Sequence, residues 1–257
     1  MTEVATQHSA HETSLWPLLT GVGVLLIALA MLAFFDWQMP MLGIVLSGGV
    51  LAALAIGLAG WAREFFTSGI EEGLGPVAVA VFIISEVMIF GTMFAAFWMG
   101  RIDNADQWAS FIPSDLDRMF AVWLTLILWA SSITIVLSQR AFERENRGAA
   151  QFWLVATFAL GLLFVVLHMT EWSRLAEGGF RLRSNIYATT FYSLTGVHTS
   201  HVLVGLLSHI LLFGVLATGL MKTSRVTLYR GASLYWHFVD IMWLMVAANA
   251  YLIGGTS

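Results

Sequence analysis

An all-helical membrane protein with seven crossings is the fold class this sequence predicts, and three observations carry the prediction. Charged residues make up only 11% of the 257 and hydrophobic residues 58%, whereas a soluble domain usually carries about 25% charge. Stretches nearly free of Asp, Glu, Lys and Arg recur at 14–35, 41–61, 76–99, 119–139, 150–172, 187–219 and 232–253. Each reaches the roughly 20 residues that a helix needs to cross a bilayer. Tryptophans mark the ends of these stretches: Trp16, Trp37, Trp61, Trp98, Trp153 and Trp172 stand where an interfacial belt would place them.

Taken in order, residues 1–13 form a polar arm with no Lys or Arg, unlike a signal or transit peptide. The first two spans, 14–61, make a two-helix part. In the second, Gly49, Ala53 and Gly57 recur every four residues, a spacing that lets a neighbouring helix approach closely. The charged loop 62–75 separates this pair from a five-helix part, 76–253, within a single transmembrane domain 1–257. The sixth span, at 33 residues, would make a helix of about 50 Å, so it must tilt or project beyond the membrane. Seven Lys and Arg fall on the side of the N-terminus and five on the other, which predicts a cytoplasmic N-terminus and an outer C-terminus. No internal repeat is evident, so an inverted-repeat transporter gains no support.

Composition excludes several functions. With no cysteine, the chain offers no disulfide, iron–sulfur cluster, thiolate copper site or cysteine nucleophile. A net charge of −4 with no basic cluster argues against nucleic acid as a partner.

Within the apolar run 76–100 stands one carboxylate, Glu86. Ten residues from Pro76, it lies roughly 15 Å deep, near the middle of the bilayer core. A carboxylate there must be paired, protonated or wet, and it faces a bundle interior or a cavity. It is either functional or a packing residue bonded to a neighbouring helix. In the sixth span His198, His201 and His209 share one helix face, His201 about 60° and His209 about 20° from His198. That face is expected to be polar and buried: a metal or haem site, a seam for a lipid headgroup or partner subunit, or a structural network. His168, near the end of the fifth span, and His237, near the start of the seventh, lie toward opposite membrane faces, so they do not suit a bis-histidine haem. His237 and Asp240, three apart, are placed to satisfy one another along one helix face. Arg63 with Glu64, and Glu171 with Trp172, stand at interfaces, where solvated charge is the ordinary reading.

Together these motifs resemble subunit III of the haem–copper oxidases. The residues that carry the resemblance are Ser85-Glu-Val-Met-Ile-Phe90, Thr170-Glu-Trp172, Tyr187-Ala-Thr-Thr-Phe191, the run Thr195 to Gly205 (TGVHTSHVLVG), and Tyr235 to Leu244 (YWHFVDIMWL). Trp61-Ala-Arg-Glu64 is similar to the family's Trp-x-Arg-acid step. The match spans 61–253. Seven helices and 257 residues look like the cytochrome c oxidase form rather than the shorter, five-helix relatives.

The resemblance implies a V-shaped arrangement of two helices against five, with structural phospholipids in the cleft. It implies a non-redox subunit of a proton-translocating aa3-type oxidase that packs on subunit I beside a proton-uptake entrance, with subunit II in the same complex. Haem a and copper belong to those partners, cytochrome c donates electrons to the complex, and this chain binds no metal. By motif, Glu86 looks like the family's membrane carboxylate, with His201 its partner across the cleft and His198 beside it. Arg63 and Arg225 are candidate headgroup ligands, while His237, Asp240, Glu171 and Glu64 fall to a structural polar network. Two departures stand out: the family's basic and histidine residues between the second and third helices are replaced by Thr67 to Pro76 (TSGIEEGLGP), and Arg230 occupies a place where a glutamate is common. The alternatives are an accessory subunit of a quinol oxidase or nitric oxide reductase, a haem-b anchor, and a proton-coupled transporter. A bacterial plasma membrane is expected, and a mitochondrial inner membrane remains compatible. Purified alone, the chain is expected to be colourless, and stoichiometric haem or copper on it would overturn the subunit III reading.

Overall fold

The structure, a computed structural model, describes residues 15–35, 37–67, 75–219 and 226–253. The regular structure of the described residues is all helical, in the order α1 (Trp16–Phe35), α2 (Pro40–Thr67), α3 (Gly75–Asp103), α4 (Trp108–Phe111), α5 (Arg118–Glu143), α6 (Arg147–Glu177), α7 (Ile186–Ala217) and α8 (Val226–Ala247), which runs into a π-helical turn, Ala248–Ile253. Six helices are long and apolar enough to cross a membrane, and the apolar part of α1, Leu18–Phe34, is shorter. The described residues thus hold eight helices, six of them long and apolar enough to cross, where seven crossings were expected. The extra one, α4, is a four-residue turn too short to show a hydrophobic period. Helix α7, at 32 residues, is about 48 Å long.

Helix ends follow from side chains that supply partners for the free backbone N–H groups of a first turn. Asp117 accepts from Met119 N and Phe120 N to start α5. Asn146 accepts from Ala149 N at α6, and Asn185 from Ala188 N at α7, while its amide donates to Phe111 O. Glu145, at φ 60, makes the tight turn between α5 and α6, and Gly179, at φ 89, follows the end of α6.

The chain divides into two compact units, residues 1–71 and 72–257. In the first, α1 and α2 run antiparallel, since early residues of one meet late residues of the other. A Cβ on Gly57 would fall 2.7 Å from Thr20 Oγ1, one on Gly23 2.8 Å from Leu54, and one on Gly43 2.7 Å from Phe34. The Gly49-Ala53-Gly57 spacing therefore does what its small residues suggest, with Ala53 buried and Gly49 against Leu26.

In the second unit α5, α6, α7 and α8 neighbour one another in a ring, and α3 packs on α7 and α8. The bundle closes on Trp236 of α8, which is fully buried. Its indole N–H donates to Ser131 Oγ of α5 at 2.9 Å, and the His209 ring of α7 lies 4.6 Å away. Glycines on two further helices make room for it. A Cβ on Gly205 of α7 would come within 2.6 Å of the indole, and one on Gly161 of α6 within 2.7 Å. Overpacking of a fitted core costs about 1–3 kcal/mol, whereas Ala in place of an open helical Gly gains about 0.5–1 kcal/mol. Gly205→Ala is therefore expected to lower the thermal midpoint in detergent and Gly91→Ala, which has nothing within 4 Å, to hold or raise it. Equal midpoints would show that the indole does not need the bare backbone.

Candidate functional site

Glu86 of α3 and His201 of α7 meet directly, Oε2 to Nε2 at 2.7 Å. Both residues belong to the second unit, on two helices that pack together. The side chains are 14% and 13% exposed, so the pair sits at the edge of the bundle and is not sealed inside it. Around it Phe82, Val87 and Ile89 are exposed, as a face toward hydrocarbon requires.

The backbone fixes the state of the imidazole. His201 Nδ1 lies 2.7 Å from Val197 O, and since a carbonyl only accepts, Nδ1 carries the hydrogen. One proton then remains between Nε2 and Oε2. On nitrogen it makes an imidazolium–carboxylate pair, and on oxygen a neutral one. The Phe90 ring lies 4.9 Å from the imidazole, and Tyr235 O–H donates to His201 O at 3.2 Å.

The histidine stripe divides by angle. His198 and His209 are buried, whereas His201, rotated away from them, reaches the rim. His198 packs against Phe164 and Trp243, with ring centres 5.8 and 5.1 Å away. His209 is taken up by Trp236.

Two expectations are corrected. Glu171 is not solvated charge: it is 2% exposed and accepts from Tyr251 O–H at 2.7 Å, with His168 Nδ1 3.4 Å from the same oxygen. Its partner arrives from the π-helical turn, 80 residues along, which span counting had no means of bringing to it. Tyr187 O–H to Ala250 O and Trp98 N–H to Asn249 Oδ1, both 2.8 Å, hold that turn in place. Nor do His237 and Asp240 satisfy each other. Asp240 accepts instead from Ser132 Oγ of α5 at 2.8 Å, and its other oxygen makes no hydrogen bond to a described residue. The i, i+3 spacing allowed the contact, but a hydroxyl on the facing helix takes it.

Arg230, the departure from the family pattern, binds Glu143 of α5 at 3.0 Å and so ties the first turns of α8 to the last turn of α5. Glu64 is half-buried near the end of α2. The side chain of Arg63, and Arg225 altogether, lie outside the described residues. Among the described residues no three His, Asp or Glu converge as metal ligands.

Comparison with known proteins gives the family of the chain. The family profile described as cytochrome c oxidase subunit III matches residues 7–255. A probable cytochrome c oxidase subunit 3 of Mycobacterium tuberculosis is 35% identical over 179 residues, covering 69% of this chain and 87% of its own length. The cytochrome c oxidase subunit 3 of Corynebacterium diphtheriae is 30% identical over the same shares. That of Drosophila yakuba is 29% identical over 96% of this chain and 99% of its own. This chain belongs to the cytochrome c oxidase subunit III family.

Proposed function

We propose that the chain is the non-redox subunit III of an aa3-type cytochrome c oxidase in aerobic electron transport. In this reading it holds phospholipid between a two-helix arm and a five-helix body arranged as a V. It packs on subunit I, with subunit II in the same complex, and cytochrome c supplies the electrons. Haem a and copper belong to the partner subunits. The N-terminus faces the cytoplasm and the C-terminus the outer side of a bacterial plasma membrane. Arg63 and Arg225 are the proposed headgroup ligands.

The observation that carries the proposal is the Glu86–His201 pair, a polar spot at mid-depth on the rim of an otherwise apolar body. A residue of this kind within a membrane is expensive and marks function or a partner. Family membership over nearly the whole chain supports the same reading, as do relatives named as oxidase subunits.

Removing the subunit should leave the haem spectrum of the oxidase intact, slow its proton uptake at high pH and cause activity to fall progressively during turnover. A cover lifted from the flank of subunit I exposes the proton entrance to different surface charges and lets subunit I relax around its metals. Loss should therefore accumulate per catalytic cycle. Oxygen consumption across pH, followed by spectra after many turnovers, tests this. Immediate haem loss, or unchanged activity through prolonged turnover, would reject the proposed support role.

At the pair itself, Glu86→Gln should preserve assembly, because the amide N–H can donate to His201 Nε2 while Nδ1 stays on Val197. His201→Leu strands the carboxyl in the membrane and should lower assembly, and adding Glu86→Leu should recover part of the loss. Failure of Glu86→Gln to assemble would mean that the charged form is structural.

A further inference from the structure

The polar core of the second unit holds more unmet hydrogen-bonding capacity than a packed bundle tolerates. His168 of α6 and His198 of α7 are both fully buried, and Glu171 is nearly so. Both ring nitrogens of each histidine, Glu171 Oε1 and Trp172 Nε1 make no hydrogen bond to any described residue. Buried polar groups in folded proteins are almost always paired, with protein or with ordered water.

The side chains that carry these atoms adjoin one another through shared neighbours. His168 lies 5.7 Å from Phe164 and 5.5 Å from Trp243, ring centre to ring centre, and His198 lies 5.8 and 5.1 Å from the same two rings. Trp172 stands 5.3 Å from His168. Glu171 is 3.4 Å from His168 by the oxygen already occupied by Tyr251, which leaves Oε1 for another donor. Donors and acceptors balance: each neutral imidazole offers one N–H and one lone pair, Trp172 offers an N–H, and Oε1 accepts. Metal ligation does not fit, since no three His, Asp or Glu converge among the described residues. A small ligand that both donates and accepts does fit.

We propose that this cluster, between α6, α7 and α8, binds internal water. A buried water makes about three hydrogen bonds, so six atoms call for about two molecules. Held there, the water joins Glu171 to the two imidazoles through hydrogen bonds, at a place separate from the Glu86–His201 pair at the rim.

The test is cryo-electron microscopy of the protein extracted from its own membrane, with whatever subunits accompany it, at a resolution that shows ordered water. Density is expected at hydrogen-bond distance, about 2.7–3.2 Å, from Glu171 Oε1 and from a ring nitrogen of His168 or His198. His168→Phe keeps the stacked ring and should lose only the density that met the imidazole. A dry cluster, with imidazoles and carboxyl bonded directly to one another, would overturn the proposal. So would water density that His168→Phe leaves wholly unchanged.

Discussion

Trp236 sets how near three other helices can stand to α8. Its indole lies against bare backbone on α6 and α7, at Gly161 and Gly205, and its one polar atom is met by Ser131 on α5. In a membrane, hydrophobic burial does little to draw helices together, because lipid tails are as apolar as leucine. Close packing and interhelical hydrogen bonds must do it instead. A large flat ring with a single donor supplies both, provided the facing helices carry glycine where the ring lies. The positions of His209, whose ring lies tilted against the indole, and of Ser131 follow from that seat.

The same constraint explains where the polar residues went. Hydroxyls on α5 recur through its inner face: Ser131 serves Trp236, Ser132 serves Asp240 and Ser138 meets Tyr229. Each joins a residue of α8 to α5 by an interhelical hydrogen bond. At the outer end of the unit the π-helical turn is held from α3, α6 and α7 at once, through Trp98, Glu171 and Tyr187.

Hydropathy made the crossings legible to within a few residues, because lipid leaves a helix no freedom to hold charge in its middle. It missed the overhangs. Helix α6 runs on to Glu177 because backbone hydrogen bonds continue where side chains turn polar, and a window tuned to apolarity stops short. Helix α4 was invisible for the opposite reason, being a turn too brief for any period. Among site residues, periodicity put three histidines on one face, but it could not say that the rim histidine would meet α3, since helix neighbours are a matter of tertiary packing. The resemblance named that pair. The partners of Glu171 and Asp240 could not be read in advance, because Tyr251 and Ser132 come from other elements and carry no distinctive signal.

The rim pair shows how a carboxyl can stand at mid-depth next to hydrocarbon. Val197 O holds the hydrogen of His201 on Nδ1, so the pair as a whole contains one shared proton whether it rests on nitrogen or oxygen, and its net charge is zero in both forms. A neutral pair escapes most of the penalty that a lone carboxylate would meet.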